Sequence, residues 1–317
     1  MTSPPVVVVG AGIVGASAAY HLARAGTPVM LVERAPAPAA GATGQSFGWI
    51  GGSAGDWPGG AEDLRTSVLA DYRRLESEIP GVEVRWTGSL DLTGTRAGQM
   101  IERAQIEELE PHLRLVPERA AYSPTDGAVD PVGVTNAMVN AARRLGARVV
   151  LGTAVMSPQA TTVVLATGAE VTAPGGAALP VGPSPALLIR VAAPAGLVRT
   201  IVVTPDFEAR ELRPGLLVLT APVPDPGIVE HTVDRLRATF RHTGPVRLLG
   251  WAIGRRPMPA DGPVVGFLPP DRSTYVVVAH SGVTLAPTLG RLIAGELTTG
   301  KPAPELRRCR PRPRADG

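Results

Sequence analysis

The sequence predicts an α/β fold, α+β overall, in which a parallel nucleotide-type sheet is joined by a second, mostly antiparallel one. Three observations carry this prediction. A strand, glycine turn, helix and strand open the chain between Val6 and Glu33. A second short apolar strand ending in small residues, TVVLATGA, stands at Thr162–Ala169. Between and beyond these lie short strand candidates separated by turns, in a chain of 317 residues with 37 glycines and 33 prolines. That length is ample for two lobes with their own cores.

The opening stretch reads VVVVGAGIVGASAAYHLARAGTPVMLVE. Four valines form a buried strand. Gly10, Gly12 and Gly15 then serve a tight turn, close approach of the backbone to a pyrophosphate, and close packing of helix on strand. The helix N-terminus offers free N–H groups and a positive dipole end to phosphates. Ala19 and Leu22 face the sheet, Gly26 ends the helix, and Val29–Val32 is the second strand. Glu33 closes it with a carboxylate suited to the two ribose hydroxyls of an adenosine and hostile to a 2′-phosphate. The unit predicts a Rossmann-like dinucleotide site and excludes NADP; by itself it does not choose between FAD and NAD.

The next segment, Ala35–Gly60, is rich in Gly, Ala and Pro and contains GATGQSFGWIGG (Gly41–Gly52). It predicts a long loop that lets backbone approach a ligand. Leu64, Val68, Tyr72 and Leu75 give Ala61–Ile79 helical spacing. Val82–Leu92 reads as a hairpin turning near Gly88, and Ile101–Leu109 as a short helix stopped before Pro111. Asp130-Pro131 opens a helix at Val132–Leu145 that Gly146 caps, followed by a strand at Arg148–Leu151. Leu187–Val191, Arg199–Val203, Leu216–Leu219 and Val246–Ile253 are strand candidates for the second sheet. Val229–Phe240 is amphipathic and helical. Tyr275–Ala279 is a last buried strand, His280–Thr284 a turn, and Leu285–Leu297 the final helix.

Composition narrows the function. The formal net charge is only +3, and much of the basic excess lies in Arg307, Arg308, Arg310, Arg312 and Arg314. That proline-interleaved tail, 307–317, is expected to be disordered and solvated rather than to bind nucleic acid. A single cysteine, Cys309, excludes an internal disulfide framework and a multi-cysteine metal site. No apolar run reaches membrane-spanning length and no signal peptide precedes Val6, so a cytoplasmic enzyme is expected.

Taken together, VVVVGAGIVG…E, the ATG segment at Ala42–Gly44, TGSLDL (Thr87–Leu92), DGAVDP (Asp126–Pro131), VVLATGA, RPMPADGPVVG (Arg256–Gly266) and HSGVTLAP (His280–Pro287) follow one another in family order. Over nearly the whole chain they resemble the FAD-dependent D-amino acid oxidase family, which includes glycine oxidase and sarcosine oxidase. The resemblance implies a discontinuous FAD-binding lobe (1–80, 126–186 and 254–306) interrupted by a substrate lobe (81–125 and 187–253). It implies oxidation of the C–N bond of a small amine or amino acid to an imine, by hydride transfer to flavin N5, with oxygen or a dye or protein as electron acceptor. The chain departs from the family at Gly152–Val163, where relatives carry a β-meander and little more than MSPQATT remains. Thr95–Leu109 is also abbreviated. The cuts are expected to open the adenine side and trim the second lobe.

Candidate FAD contacts on these segments are Gly10, Gly12, Ile13, Val14, Gly15, Glu33, Arg34, Thr43, Gly44, Ser46, Val155, Thr167, Gly168, Gly282, Val283 and Thr284. The FAD is expected to be noncovalent, because Cys309 lies beyond the last helix. Arg256, before Pro257, stands where glycine-oxidase-like relatives hold the substrate carboxylate, and a guanidinium does so bidentately; the competing reading pairs it with Asp261. Arg255 would point the other way on an extended segment. His280 is a candidate catalytic group or a plain turn residue. The helix after it would aim its positive end at the flavin pyrimidine ring. Trp49 and Phe47 either wall the flavin or substrate pocket or pack in the core, and Trp251 is expected in the core. The only lysine is Lys301, so the superoxide-stabilising lysine of some family oxidases has no counterpart; Arg256 or a protonated His280 would have to replace it. A flavin-dependent hydroxylase is the competing enzyme reading, weakened by Ala279-His280-Ser281-Gly282 where those enzymes have a Gly-Asp motif. A trimmed FAD-fold protein without turnover is the non-enzymatic one.

Overall fold

The computed structural model describes residues 6–51, 59–154, 162–171, 179, 181–241, 244–269 and 273–311. The chain begins with β1 (Val6–Val9), α1 (Ile13–Arg24), β2 (Val29–Val32), β3 (Trp49–Ile50), α2 (Ala61–Arg65) and α3 (Val68–Glu78). It continues with β4 (Ser89–Asp91), β5 (Gln99–Glu102), α4 (Arg103–Leu109), β6 (Arg119–Ser123), β7 (Gly127–Ala128), α5 (Pro131–Arg144), β8 (Arg148–Val150) and β9 (Thr162–Leu165). Then follow β10 (Val181–Ala192), β11 (Ile201–Val203), β12 (Glu208–Arg213), β13 (Leu216–Thr220), α6 (Val229–Thr239), β14 (Arg247–Pro259), β15 (Val264–Phe267), β16 (Thr274–Val278) and α7 (Gly282–Thr299).

The first sheet has six strands in the order β15-β16-β9-β1-β2-β8, parallel except for the β15 edge. Its valine-rich strands are covered on both faces, the usual state of a parallel sheet. On one face α1 packs against α5 and α7. Gly290 allows the closest approach there: a Cβ would collide with Ser17 on α1. Asp130 caps α5, accepting from Val132 N at 3.0 Å and Gly133 N at 3.2 Å, with Pro131 in the first turn.

The second sheet has eight strands in the order β14-β10-β13-β12-β11-β4-β6-β5, antiparallel except for the β11–β4 pair. The two sheets close separate apolar cores, one around Val8, Leu22 and Leu289, the other around Leu90, Ile189 and Leu236. The divisions at 186/187 and 253/254 fall inside β10 and β14, which pair from Val181↔Pro259 to Ala192↔Arg247 and run as unbroken strands between the cores.

Several local expectations are corrected. Val82–Leu92 is not a hairpin: Gly88 redirects the chain, Arg85 bridges to Ala128, and only Ser89–Asp91 enters the sheet. The helix over Ala61–Ile79 is broken at Thr66–Ser67, where the Thr66 hydroxyl donates to the Asp63 carbonyl. Ile101 and Glu102 are strand, and α4 starts after Glu102, which forms a capping box with Gln105. The strand expected over Val246–Ile253 runs on to Pro259, and His280–Thr284 is largely the first turn of α7. Trp251 is 46% exposed on the edge strand rather than in the core. The described part of the basic tail is structured rather than solvated: Pro304–Cys309 is a 3-10 turn, Cys309 is buried, and Arg308 and Arg310 pair with Glu62 and Glu296. Val155 lies outside the described residues, as does most of the MSPQATT stretch.

One buried histidine makes the fold pH-sensitive. His21 on α1 donates from Nδ1 to the Ser17 carbonyl at 2.8 Å and accepts at Nε2 from Arg74 at 3.0 Å, which fixes a neutral ring. Burial, reinforced by the Arg74 charge, pushes its pKa down from 6.5 to about 4. Between those values the unfolded chain binds the proton and the folded one does not, so stability falls as pH drops through the window. Urea unfolding is expected to lose roughly 3 kcal/mol between pH 7 and pH 4 through this group. The loss should shrink in His21→Gln.

Candidate functional site

The turn between β1 and α1 is built so that only glycine fits. Gly10 sits at φ +102°, and a Cβ there would lie 2.5 Å from the Ala166 carbonyl at the end of β9. Gly15 packs inward, where a Cβ would strike the Gly10 carbonyl. Above this crossing opens a cavity of about 1320 Å³, larger than the roughly 300–1,000 Å³ of ordinary ligand pockets. Its walls come from the first turn of α1, the β2 end, the Ala40–Trp49 loop, the β9 end, β10, β14 and the first turn of α7.

Two helix N-termini open onto this cavity. Gly12, Ile13 and Val14 line it at one end, and Ser281, Gly282, Val283 and Thr284 at another. Neither Gly12 nor Ser281 makes a side-chain cap. Gly12, Val14, Gly282 and Val283 N–H groups have no acceptor among the described residues. Unsatisfied first-turn donors with a positive dipole end are what an anion or an electron-rich ring edge needs.

Glu33 lies at the cavity wall with each carboxylate oxygen accepting one backbone N–H, Ala11 at 2.7 Å and Ala35 at 2.9 Å. It ties β2 to the glycine turn and retains a free lone pair on each oxygen. Thr43 accepts from Ile13 N at 3.1 Å, joining the loop to the helix start. Arg34, Ser46, Thr167 and Gly168 also line the cavity, with Arg34 paired to Glu170 at 2.7 Å. Gly15 and Gly44 do not line it; the Gly44 carbonyl instead accepts from Arg190 of β10 at 2.9 Å.

At the other end stand Trp49, Arg256 and His280. Trp49 is held on several sides: its indole N–H donates to Asp126 at 2.9 Å, its carbonyl accepts from Thr284 at 2.9 Å, and the Arg96 guanidinium lies 5.0 Å from its ring centre. Arg256 donates to Ser184 Oγ at 3.0 Å and the Pro185 carbonyl at 3.2 Å. No carboxylate, Asp261 included, pairs with it among the described residues. Arg255 is not a cavity residue and lies 3.7 Å from Glu170, so the alternation of an extended strand separates the two arginines. Burial, with the Arg256 charge added, pushes the His280 pKa down to about 4, leaving the ring neutral at pH 7.

Sequence reasoning missed Arg210 on β12. Its side chain is 2% exposed, donates to the Phe47 carbonyl at 2.6 Å and the Val129 carbonyl at 2.7 Å, and lies 5.3 Å from the Phe47 ring centre. Burial lowers its pKa to about 9. The same strand supplies Glu208 to the cavity wall. The polar run EAREL carries no alternation that would have revealed a strand there.

The donor set and space fit an FAD: a glycine turn whose first-turn N–H groups at Gly12 and Val14 are open, a carboxylate with free lone pairs at Glu33, and a second helix N-terminus. A family model described as FAD dependent oxidoreductase (DAO) matches residues 5–296. A glycine oxidase from Bacillus licheniformis is 30% identical over 170 residues, 48% of this chain and 46% of that protein. Human mitochondrial dimethylglycine dehydrogenase is 31% identical over 163 residues, 44% of this chain and 18% of that one. The matched stretches thus span less than half of either relative. Among solved structures, glycine oxidase from Geobacillus kaustophilus superposes with a TM-score of 0.84 at 21% identity, covering 98% of both chains.

Replacing Arg210 by leucine strands two buried carbonyls and frees the Phe47–Trp49 wall. Chemical unfolding is expected to show a loss of about 3 kcal/mol, the scale for removing one member of a buried polar network. Arg210→Lys should recover part of it, because an ammonium reaches one carbonyl but lacks the planar fork.

Proposed function

The chain belongs to the DAO family of FAD dependent oxidoreductases, and from that premise we propose that it oxidises the C–N bond of an amino acid or related amine to an imine, with FAD held noncovalently. FAD, when bound, supplies the hydride acceptor at N5. The observation that carries the reading is Arg256, a guanidinium without a carboxylate partner among the described residues, in the same cavity as two open helix N-termini. Two of the relatives are named for amino-acid substrates.

In this reading Gly10–Gly15 and the start of α1 hold the pyrophosphate, and Glu33 and Arg34 flank the adenosine. Thr43 and Ser46 line the middle of the site, and the α7 start faces the ring edge where negative charge develops on reduction. Arg256 takes the substrate carboxylate bidentately and so orients the α-carbon. His280, held neutral, is a weak base, so the amine arrives without its extra proton. Cys309 is buried against Gly60, away from the cavity, with its thiol pushed up to about 11, in keeping with noncovalent flavin. Lys301 follows α7 and is not a cavity residue. With His280 neutral and Arg96 paired to Glu208, a cation beside the flavin is left to Arg256, which the substrate neutralises; reoxidation by oxygen is therefore slow and a dye or protein acceptor is preferred.

Purified protein should show a flavin spectrum, release yellow FAD to the supernatant on acid precipitation, bleach anaerobically with an amino acid, and turn over faster with a dye than with oxygen. Flavin that stays oxidised through an amino-acid panel but is reduced by NAD(P)H would overturn the amine-oxidation reading in favour of hydroxylation. Arg256→Ala should raise KM for a carboxylate substrate by two orders of magnitude or so, the scale of a lost charge-assisted pair. Arg255→Ala should change it little; equal effects would detach the carboxylate from Arg256.

A further inference from the structure

Beyond Arg256 the cavity opens into a recess of about 300 Å³. Arg96, Glu208 and Arg256 line both spaces, and so stand at the junction. The recess beyond them has a mixed wall, with Val203, Phe207, Ala221 and Pro222 beside the hydroxyl-bearing Thr204 and Thr220. Arg96 is a built feature. It sits on a turn wound round the buried Asp91 carboxylate, which accepts from the N–H groups of Thr93, Thr95 and Arg96 at 2.9, 3.0 and 2.8 Å. Its guanidinium lies on the Trp49 ring and pairs with Glu208 at 2.5 Å.

Resting on the amino-acid oxidation reading, we propose that this recess selects the substrate's side chain: an α-amino carboxylate with an uncharged side chain of several heavy atoms, in preference both to glycine and to acidic or basic amino acids. The charge arithmetic at the junction carries it. Two guanidiniums and one carboxylate face the space. Arg256 is neutralised by the substrate carboxylate and Arg96 by Glu208, so the completed junction holds no net charge. An acidic side chain must displace Glu208 from Arg96 or lie beside it. A basic one must give up its hydration where the one carboxylate, Glu208, is already paired with Arg96. Glycine leaves the recess empty and forgoes burial of its Val203, Phe207, Ala221 and Pro222 surface.

The test uses the flavin-bearing protein in two ways. Anaerobic flavin reduction is measured with glycine, leucine, methionine, glutamate and lysine, each chiral one as both enantiomers. Separately, thermal shifts are measured with acetate, 4-methylpentanoate and glutarate, which bind without being oxidised. The better enantiomer of leucine or methionine should exceed glycine, glutamate and lysine by at least about tenfold in reduction efficiency, as a pocket filled by several methylenes allows. 4-Methylpentanoate should give the largest shift. Glu208→Gln should raise the glutarate shift by freeing Arg96. Ala221→Phe, which fills the recess, should bring the 4-methylpentanoate shift down to that of acetate.

Glycine or glutamate reducing the flavin as well as leucine, or glutarate ranking first, would overturn the recess while leaving amino-acid oxidation intact. An unchanged ranking in both variants would do the same. If no amino acid bleaches the flavin, the oxidation reading fails. The thermal-shift ranking then still decides whether the recess sorts carboxylates by their tails.

Discussion

The arrangement of this molecule depends on one buried cation. Arg210 reaches from the second sheet into the seam between the two apolar cores and gives its N–H groups to the Phe47 and Val129 carbonyls instead of to a carboxylate. A carboxylate partner would neutralise the charge, but it would leave those carbonyls bare. By donating to main chain, the side chain holds the cavity loop to the strand that precedes α5. Arg190 does the same one strand away, through Gly44. The Trp49 end of the cavity is thus fastened from the second sheet, and the Thr284 hydroxyl fastens it again from α7.

The glycine-turn end is set by different means. There the constraint is backbone against backbone: Gly10 on Ala166, Gly15 on Gly10, and the Glu33 carboxylate bridging Ala11 and Ala35. No flexible side chain separates β1, β9 and α1, so the cradle is rigid before any ligand arrives, and rigidity lowers the ordering cost of binding.

That contrast explains what could be read from the sequence. The β1–α1–β2 unit is local, and its glycines, Ala19, Gly26 and Glu33 spell out the geometry within 28 residues of Val6. Arg256 could be singled out beside Pro257 and its strand read as far as Ile253, but not the continuation to Pro259, which forms only by pairing with β10 from Val181 onward. Arg96, Glu208 and Arg210 were not legible at all. Glu208, Arg210 and Glu211 sit on a strand whose charges are satisfied by Arg96, by Phe47 and Val129, and by Arg85, Gly196 and Gly215. Without those distant partners the run resembles a solvated loop. The tail misled for the same reason: Arg310 is ordered by Glu296, on a helix that composition cannot connect to it.

The order of strands in the first sheet bears on how the protein is made. β1 leaves the ribosome first, but its neighbour β9 follows roughly 150 residues later, and β16, which flanks β9, more than 100 residues after that. The α7 start, which closes the far end of the cavity, comes last of all. Long-range parallel pairing of this kind is slow. The glycine cradle is therefore the first part of the site to be synthesised and among the last to be completed, and the cavity is whole only once the α7 start has joined it.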